Sequence, residues 1–137
     1  MIPAKSGSII NIVSEGGRSG DGRSGYPSRA AYCCSKMGLI GLTETLSVEM
    51  GEFNIRVNAV SPGPVAGDRI MNVVKRRVAE TGKTFEEMMQ TLAANNSLKR
   101  IATEEECAFL ALFLASDESS GVTGQTIPVS CGQHINF

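Results

Sequence analysis

Several kinds of residue are scarce in this chain of 137 residues, and each scarcity argues against a class of function. Tryptophan is absent and aromatic residues make up 5% of the chain, so we do not expect a platform for stacking nucleic-acid bases. The single histidine, His134, argues against a histidine-based catalytic triad or a histidine-rich metal site. The apolar runs are too short for a membrane span, and the first residues lack the hydrophobic region of a signal peptide. We therefore expect neither a nucleic acid nor a membrane as partner, and no bound metal.

An excess of charge of one sign is also missing. Lysine and arginine number 13 and the acids 14, which gives a net charge of −1. The basic triplet at residues 75–77 is better explained as a solvated helix face than as a phosphate contact. Four cysteines are too irregularly spaced for a metal site, so we expect reduced thiols and a cytoplasmic protein. They are Cys33, Cys34, Cys107 and Cys131.

Three segments have the pattern of β-strands. SGSIINIVS (6–14) is an Ile/Val run bounded by small polar residues, which predicts a fully buried strand. NIRVNAVSPG (54–63) alternates apolar residues and ends in a Pro-Gly break. GQTIPVSCG (124–132) predicts a third strand, and Pro128 within it indicates the edge of a sheet.

Four segments have the pattern of helices. AAYCCSKMGLIGLTETLSVEMG (30–51) is the longest, and two shorter pieces are predicted around 70–80 and 84–94. A fourth, apolar helix follows TEEE at 103–106, which has the form of a capping box, as does TFEE at 84–87. GGRSGDGRSGYPSR, before the first helix, predicts a surface loop. The alternation of strands and helices predicts an α/β fold with a parallel sheet, flanking helices and right-handed crossovers.

Polar residues gather where the predicted strands end. At 3.6 residues per turn, Tyr32 and Lys36 lie on the same face of the first helix as Leu39, Thr43, Leu46 and Met50. A lysine on this stripe is open to two explanations: a packed stem whose head reaches water, or a charge that serves the phenol. Ser14 ends the first strand and Ser61–Gly63 ends the second, and carboxyl ends of parallel strands are where sites form.

Four motifs in order resemble the short-chain dehydrogenase/reductase family. They are NIVS at 11–14, the Tyr-x-x-x-Lys pair in AYCCSK at 31–36, RVNAVSPGPV at 56–65 and FLASDESSGVTGQTIPVSCG at 113–132. Together they extend over nearly the whole chain. The resemblance implies the C-terminal half of a Rossmann-like doubly wound parallel sheet, made of three strands with flanking helices.

The resemblance also implies an activity and the residues that carry it. Hydride would pass between NAD or NADP and an alcohol or ketone, with Ser14, Tyr32 and Lys36 as catalytic residues. Lys36 would lower the pKa of the Tyr32 phenol, which is near 10 when free, and would bind the nicotinamide ribose. The implied cofactor-binding residues are Tyr32, Lys36, Pro62, Gly63 and Val65.

Three departures from the family pattern qualify these expectations. The chain has no glycine-rich turn for the dinucleotide phosphates and no Asn-Asn-Ala-Gly stretch, so we expect residues 1–137 to be one partial domain, the catalytic half. Ser14 and Tyr32 are eighteen residues apart, wider than is usual in the family. Gly67 stands where many members have a threonine that contacts the nicotinamide.

From these departures we expect a chain that is weakly active or inactive as given and that exposes a strand edge. Residues 64–98 resemble the variable substrate lid of the family, and a full-length form would be a homo-oligomer, a dimer or a tetramer. The main alternative is a non-enzymatic remnant or interaction module. A lyase or dehalogenase on the same scaffold is disfavoured by Lys36, and a Ser-Lys hydrolase by the lack of Ser-x-x-Lys.

Overall fold

A computed structural model describes residues 1–16 and 29–133. Three strands form one sheet in the order β1 (Gly7–Ile12), β2 (Ile55–Pro62) and β3 (Thr126–Val129). Both pairs of neighbours are parallel, as predicted. Pro128 lies on the edge strand β3, where its missing N–H interrupts no ladder.

Four helices connect and cover the strands. They are α1 (Ala30–Glu49), α2 (Asp68–Thr81), α3 (Phe85–Ala93) and α4 (Glu104–Ala115). Both predicted capping boxes are present, at the starts of α3 and α4, so these two helices begin where their sequences indicate. No helix within the described part of the chain is long and apolar enough to cross a membrane.

The central strand β2 carries the core. Val57, Ala59 and Val60 are fully buried, and Leu114 of α4 packs into the same interior without exposed surface. The buried Asn58 donates from Nδ2 to the Val122 carbonyl at 2.8 Å, and its Oδ1 accepts from Gln125 N at 3.0 Å. These bonds fix the turn that leads into β3, so the last strand is held in register with β2.

The predicted full burial of the first strand is wrong. Every residue of β1 is at least partly accessible, and Ile12 is 51% exposed. The reason is that β1 pairs with β2 along one edge, whereas its other edge has no partner among the described residues. An apolar run indicates that a strand can be buried on both faces, but it does not report whether a neighbour is present.

Helix α1 is attached to the sheet through the predicted stripe. Thr43 is fully buried, and Tyr32, Lys36, Leu39, Leu46 and Met50 are half-buried. Asn11 of β1 donates from Nδ2 to Thr43 Oγ1 at 2.9 Å, and the same hydroxyl donates to the Leu39 carbonyl at 2.7 Å. This polar link fixes the rotation of α1, which places Tyr32 and Lys36 at the carboxyl end of β1.

An ion pair at the start of α4 gives a prediction for acid stability. Arg100 donates to the Glu106 carboxylate at 2.6 and 2.9 Å, and this bond, followed by the Thr103 backbone N–H, lowers the pKa of Glu106 from 4.5 to about 2. A lowered pKa in the folded state stabilises the fold above pH 4.5, and this contribution is lost as the pH falls toward about 2.

We therefore expect Glu106→Gln to flatten the dependence of unfolding free energy on pH across that range. Urea unfolding at a series of pH values measures this dependence. Glu80→Gln, which removes an exposed partner of Arg76, is the matched control. An unchanged acid dependence in Glu106→Gln would contradict the assignment.

Candidate active site

The site lies where β1 and β2 end side by side. Val13 N donates to the Val60 carbonyl at 2.9 Å and Glu15 N to the Pro62 carbonyl at 3.0 Å, so the parallel ladder continues past β1. Ser14, between them, is thereby held beside the end of β2. The predicted meeting of the two strand ends is confirmed.

The side chains of Ser14 and Tyr32 both lie close to Gly16. A methyl group added at Gly16 would lie 3.3 Å from Ser14 Oγ and 3.7 Å from Tyr32 Cε1. The Gly16 N–H also donates to Ser14 Oγ at 3.0 Å, which fixes the serine hydroxyl. Although eighteen residues separate Ser14 and Tyr32 in the chain, the fold brings them to the same place. Sequence analysis missed Gly16, because its position between Ser14 and Tyr32 depends on how close α1 lies to the end of β1.

The Lys36 ammonium is bound at this site as well. Its Nζ donates to the Ile12 carbonyl at the end of β1, at 2.8 Å, and lies 6.0 Å from the centroid of the Tyr32 ring. The lysine is therefore attached to the strand end and lies near the Tyr32 ring, and its role toward the phenol stays a prediction.

Two more cations approach the Tyr32 ring. The guanidinium carbon of Arg29 lies 5.8 Å from the ring centroid, and that of Arg69 lies 5.9 Å from it. Arg69 belongs to the first turn of α2, more than thirty residues away in sequence. Sequence analysis did not select Arg69, because nothing local indicates that α2 begins over the phenol.

A buried acid lies beneath the same edge. Glu15 is 3% exposed, and its carboxylate accepts a hydrogen bond from the hydroxyl of the fully buried Ser61. This bond joins the residue after Ser14 to the end of β2. Sequence analysis missed Glu15 too, since its burial depends on the pairing of the two strand ends.

Packing alone accounts for glycine at position 63. Gly63 N donates to the Val129 carbonyl at 3.0 Å, and an added methyl group would lie 2.9 Å from Ser130 Cβ and 3.1 Å from Ser130 Cα. The end of β3 therefore occupies the room that a side chain would need. The expected role of Pro62 and Gly63 toward a cofactor stays a prediction.

The backbone at Val65 presents an unused donor. Ala66 N donates to the Ala102 carbonyl at 2.8 Å and Ala102 N to the Pro64 carbonyl at 3.1 Å, forming a short parallel bridge. Within the described residues, no group accepts a hydrogen bond from the Val65 N–H. The expected bond from this N–H to a cofactor stays a prediction.

The carboxylate of Glu104, at the start of α4, lies beside Gly67. A side chain at position 67 would require this exposed glutamate to adopt another conformation. The segment 64–98 contains α2 and α3, and Met88 in it is buried whereas Phe85 is 44% exposed.

Two features of the sequence lie outside the described residues. They are the predicted loop that follows Gly16 and the single histidine, His134.

Comparisons with known proteins bear on the family and the fold of the chain. Residues 1–134 match the family model described as enoyl-(acyl carrier protein) reductase. The chain is 39% identical over 132 residues to the 3-oxoacyl-[acyl-carrier-protein] reductase FabG of Thermotoga maritima, covering 96% of this chain and 47% of that protein.

Two solved structures are similar in fold. A xylitol dehydrogenase with bound NAD+ is 31% identical with a TM-score of 0.79, covering 96% of this chain and 51% of that one. An actinorhodin polyketide ketoreductase with NADPH is 29% identical with a TM-score of 0.84, covering 99% of this chain and 50% of that one. The chain spans about half the length of the curated relatives it matches. The chain belongs to the short-chain dehydrogenase/reductase family.

Proposed function

We propose that the chain is the catalytic half of an NAD(P)-dependent short-chain dehydrogenase/reductase that acts on a small alcohol or ketone. The observation that carries the proposal is that Ser14 and Tyr32 both lie close to Gly16, with Lys36 attached to the end of β1 near the Tyr32 ring. A serine hydroxyl, a phenol and an ammonium at one strand end are the groups that carbonyl reduction requires.

Each side chain has a chemical role in this proposal. The Tyr32 hydroxyl passes a proton to or from the substrate oxygen, and the Lys36 ammonium lies near its ring, where it can bind the nicotinamide ribose. The Ser14 hydroxyl donates to the same oxygen and stabilises the negative charge that develops on it. NAD or NADP, when bound, supplies or accepts the hydride.

The residues present fit the nicotinamide end of such a cofactor. The unused Val65 N–H suits a carboxamide oxygen, and Lys36 can exchange its bond to Ile12 for bonds to ribose hydroxyls. The sequence holds no glycine-rich turn to bind the dinucleotide phosphates, so we expect the chain as given to be weakly active or inactive. Pro62, Gly63 and Val65 would line the nicotinamide side.

We further propose that residues 64–98 form the substrate lid, since α2 begins beside Tyr32. A full-length form would be a cytoplasmic homo-oligomer, a dimer or a tetramer, and the free state of all four cysteines is compatible with a reducing compartment. The second candidate function is a non-enzymatic interaction module. The open edge of β1 and the exposure of Val48, Phe109 and Leu112 favour it.

Binding of dihydronicotinamide riboside tests the proposed function. This compound has the nicotinamide and ribose but no phosphate, so it probes only the part of the site that the chain contains. In ligand-observed NMR we expect it to bind, and we expect adenosine not to bind. Lys36→Met should weaken binding about 10-fold or more, because charge-assisted hydrogen bonds to the ribose are lost.

Lys75→Met, which removes an exposed lysine of α2, is the control and should leave the affinity unchanged. Tyr32→Phe should retain the fold and lose less affinity than Lys36→Met. Equal affinities in Lys36→Met and Lys75→Met, or no binding of the riboside, would contradict the proposed function and favour the interaction module.

A further inference from the structure

Arg69 differs in its surroundings from Arg56, Arg76 and Arg100. Arg56 donates to three oxygen acceptors, Arg100 binds Glu106, and Arg76 pairs with Glu80. Arg69 forms no ion pair with any described carboxylate, and its recorded contact is with the Tyr32 ring at 5.9 Å. An exposed guanidinium next to the phenol that faces the substrate is thus available to an anion.

No described acid forms an ion pair with Arg69. Glu15 is buried and accepts from Ser61, and the exposed Glu104 lies near Gly67, at the N-terminal end of α2. Asp68 precedes Arg69 in the chain and is exposed, without an ion pair to it.

The charge around the phenol strengthens this preference. Arg69, Arg29 and Lys36 come from three separate places in the sequence and lie within 6.0 Å of one ring centroid. Each of these charges adds to the attraction that an anion beside the ring would feel. Lys36 donates to the Ile12 carbonyl, whereas Arg69 forms no hydrogen bond or ion pair within the described part of the chain, so Arg69 is the cation that we assign to the anion.

We propose that Arg69 binds an anionic group of the substrate, a carboxylate or a phosphate located a few bonds from the reacting carbonyl. This inference rests on the proposed function, since it takes Tyr32 as the group that meets the substrate oxygen. A guanidinium binds either anion through two parallel hydrogen bonds, and its distance from the Tyr32 ring suits an anion adjacent to the carbonyl. The substrate class is therefore a keto acid or keto phosphate, with the corresponding hydroxy compound, and not a neutral ketone.

Paired ligands test this proposal with the chain as it exists. We would titrate 2-oxobutyrate against 2-butanone, and dihydroxyacetone phosphate against dihydroxyacetone, by NMR. We expect at least one anionic ligand to bind about 10-fold or more tightly than its neutral partner, and the pair that shows this identifies carboxylate or phosphate. Arg69→Gln should remove the preference, whereas Arg77→Gln, an exposed arginine on the same helix, should retain it.

Circular dichroism shows whether Arg69→Gln keeps the fold. If Arg69→Gln does not keep the fold, Arg69→Lys takes its place in the test. A lysine keeps the charge but lacks the paired donors, so the preference for the anionic ligand should fall in part. A preference that survives Arg69→Gln, or that Arg77→Gln removes equally, overturns the proposal, as does equal binding of the anionic and neutral ligands in both pairs.

The outcome is separable from that of the proposed function. Binding of dihydronicotinamide riboside with no anion preference would overturn the assignment of Arg69 alone. An Arg69-dependent anion preference without riboside binding would overturn the dehydrogenase proposal and leave an anion-binding site. If the riboside does not bind and no anion preference is seen, both the dehydrogenase proposal and the assignment of Arg69 are overturned.

Discussion

Gly63→Ala is expected to lower the free energy of unfolding by about 1–3 kcal/mol, the usual cost of forcing an extra methyl group into a packed site. The new Cβ would lie 2.9 Å from Ser130 Cβ and 3.1 Å from Ser130 Cα, and a backbone atom cannot yield as a flexible side chain can. The strand end at Ser130 would have to move away from β2. Urea unfolding followed by circular dichroism measures the change.

A second alanine substitution provides the control with the opposite sign. Gly38 lies inside α1, and an added methyl group there meets nothing within 4 Å. Because glycine is costly within a helix, Gly38→Ala should raise the free energy of unfolding by about 0.5–1 kcal/mol. Equal changes in the two variants would show that the packing around Gly63 is looser than described.

The same pair of variants separates packing from ligand binding at position 63. If the end of β2 is displaced in Gly63→Ala, the Val65 N–H moves with it and riboside binding should weaken. Gly38→Ala should leave binding unchanged, since that residue is on the accessible side of α1. Loss of stability with full retention of riboside binding would show that glycine is needed there for packing only.

Much of the fold could be predicted because local patterns determine it. The stripe through Tyr32, Lys36 and Thr43 follows from helical periodicity, and in the structure Thr43 is buried and the other two are half-buried. Two capping boxes fix the starts of α3 and α4 within the sequence itself. The edge position of β3 follows from the chemistry of Pro128, which has no N–H to donate.

The rest of the site depends on distances between segments remote in the chain. Arg69 lies near Tyr32 only because α2 begins close to the strand ends. The Glu104 carboxylate lies beside Gly67 only because α4 begins beside α2. Neither relation leaves a periodic signal. Burial of β1 failed to follow from its apolar run for the same reason, since it depends on a neighbouring strand and not on the run itself.

Arg56 shows how much a single side chain that the sequence did not predict can contribute to the stability of the fold. Its guanidinium donates to the Leu114 carbonyl at 2.9 Å, to the Ser116 carbonyl at 3.0 Å and to Ser119 Oγ at 2.7 Å. The first two acceptors are at the C-terminal end of α4, where the last carbonyls of a helix have no partner within it. A positive charge at that end also complements the helix dipole.

Arg56→Met should therefore lower the free energy of unfolding by about 1.5–3 kcal/mol, since bonds from a charged donor are lost. The Leu114 carbonyl keeps the bond from Ser8 Oγ and the Ser116 carbonyl keeps those from Ser119 N and Oγ, so neither is left unpaired. Arg56→Lys keeps the charge but not the fork of donors, so its loss should be intermediate. Arg76→Met removes the exposed i,i+4 ion pair between Arg76 and Glu80, so it should change the free energy of unfolding by less than about 0.5 kcal/mol. Urea unfolding of the three variants decides: if Arg56→Met is no more destabilised than Arg76→Met, α4 is held to the sheet by apolar packing around Leu114 and not by Arg56.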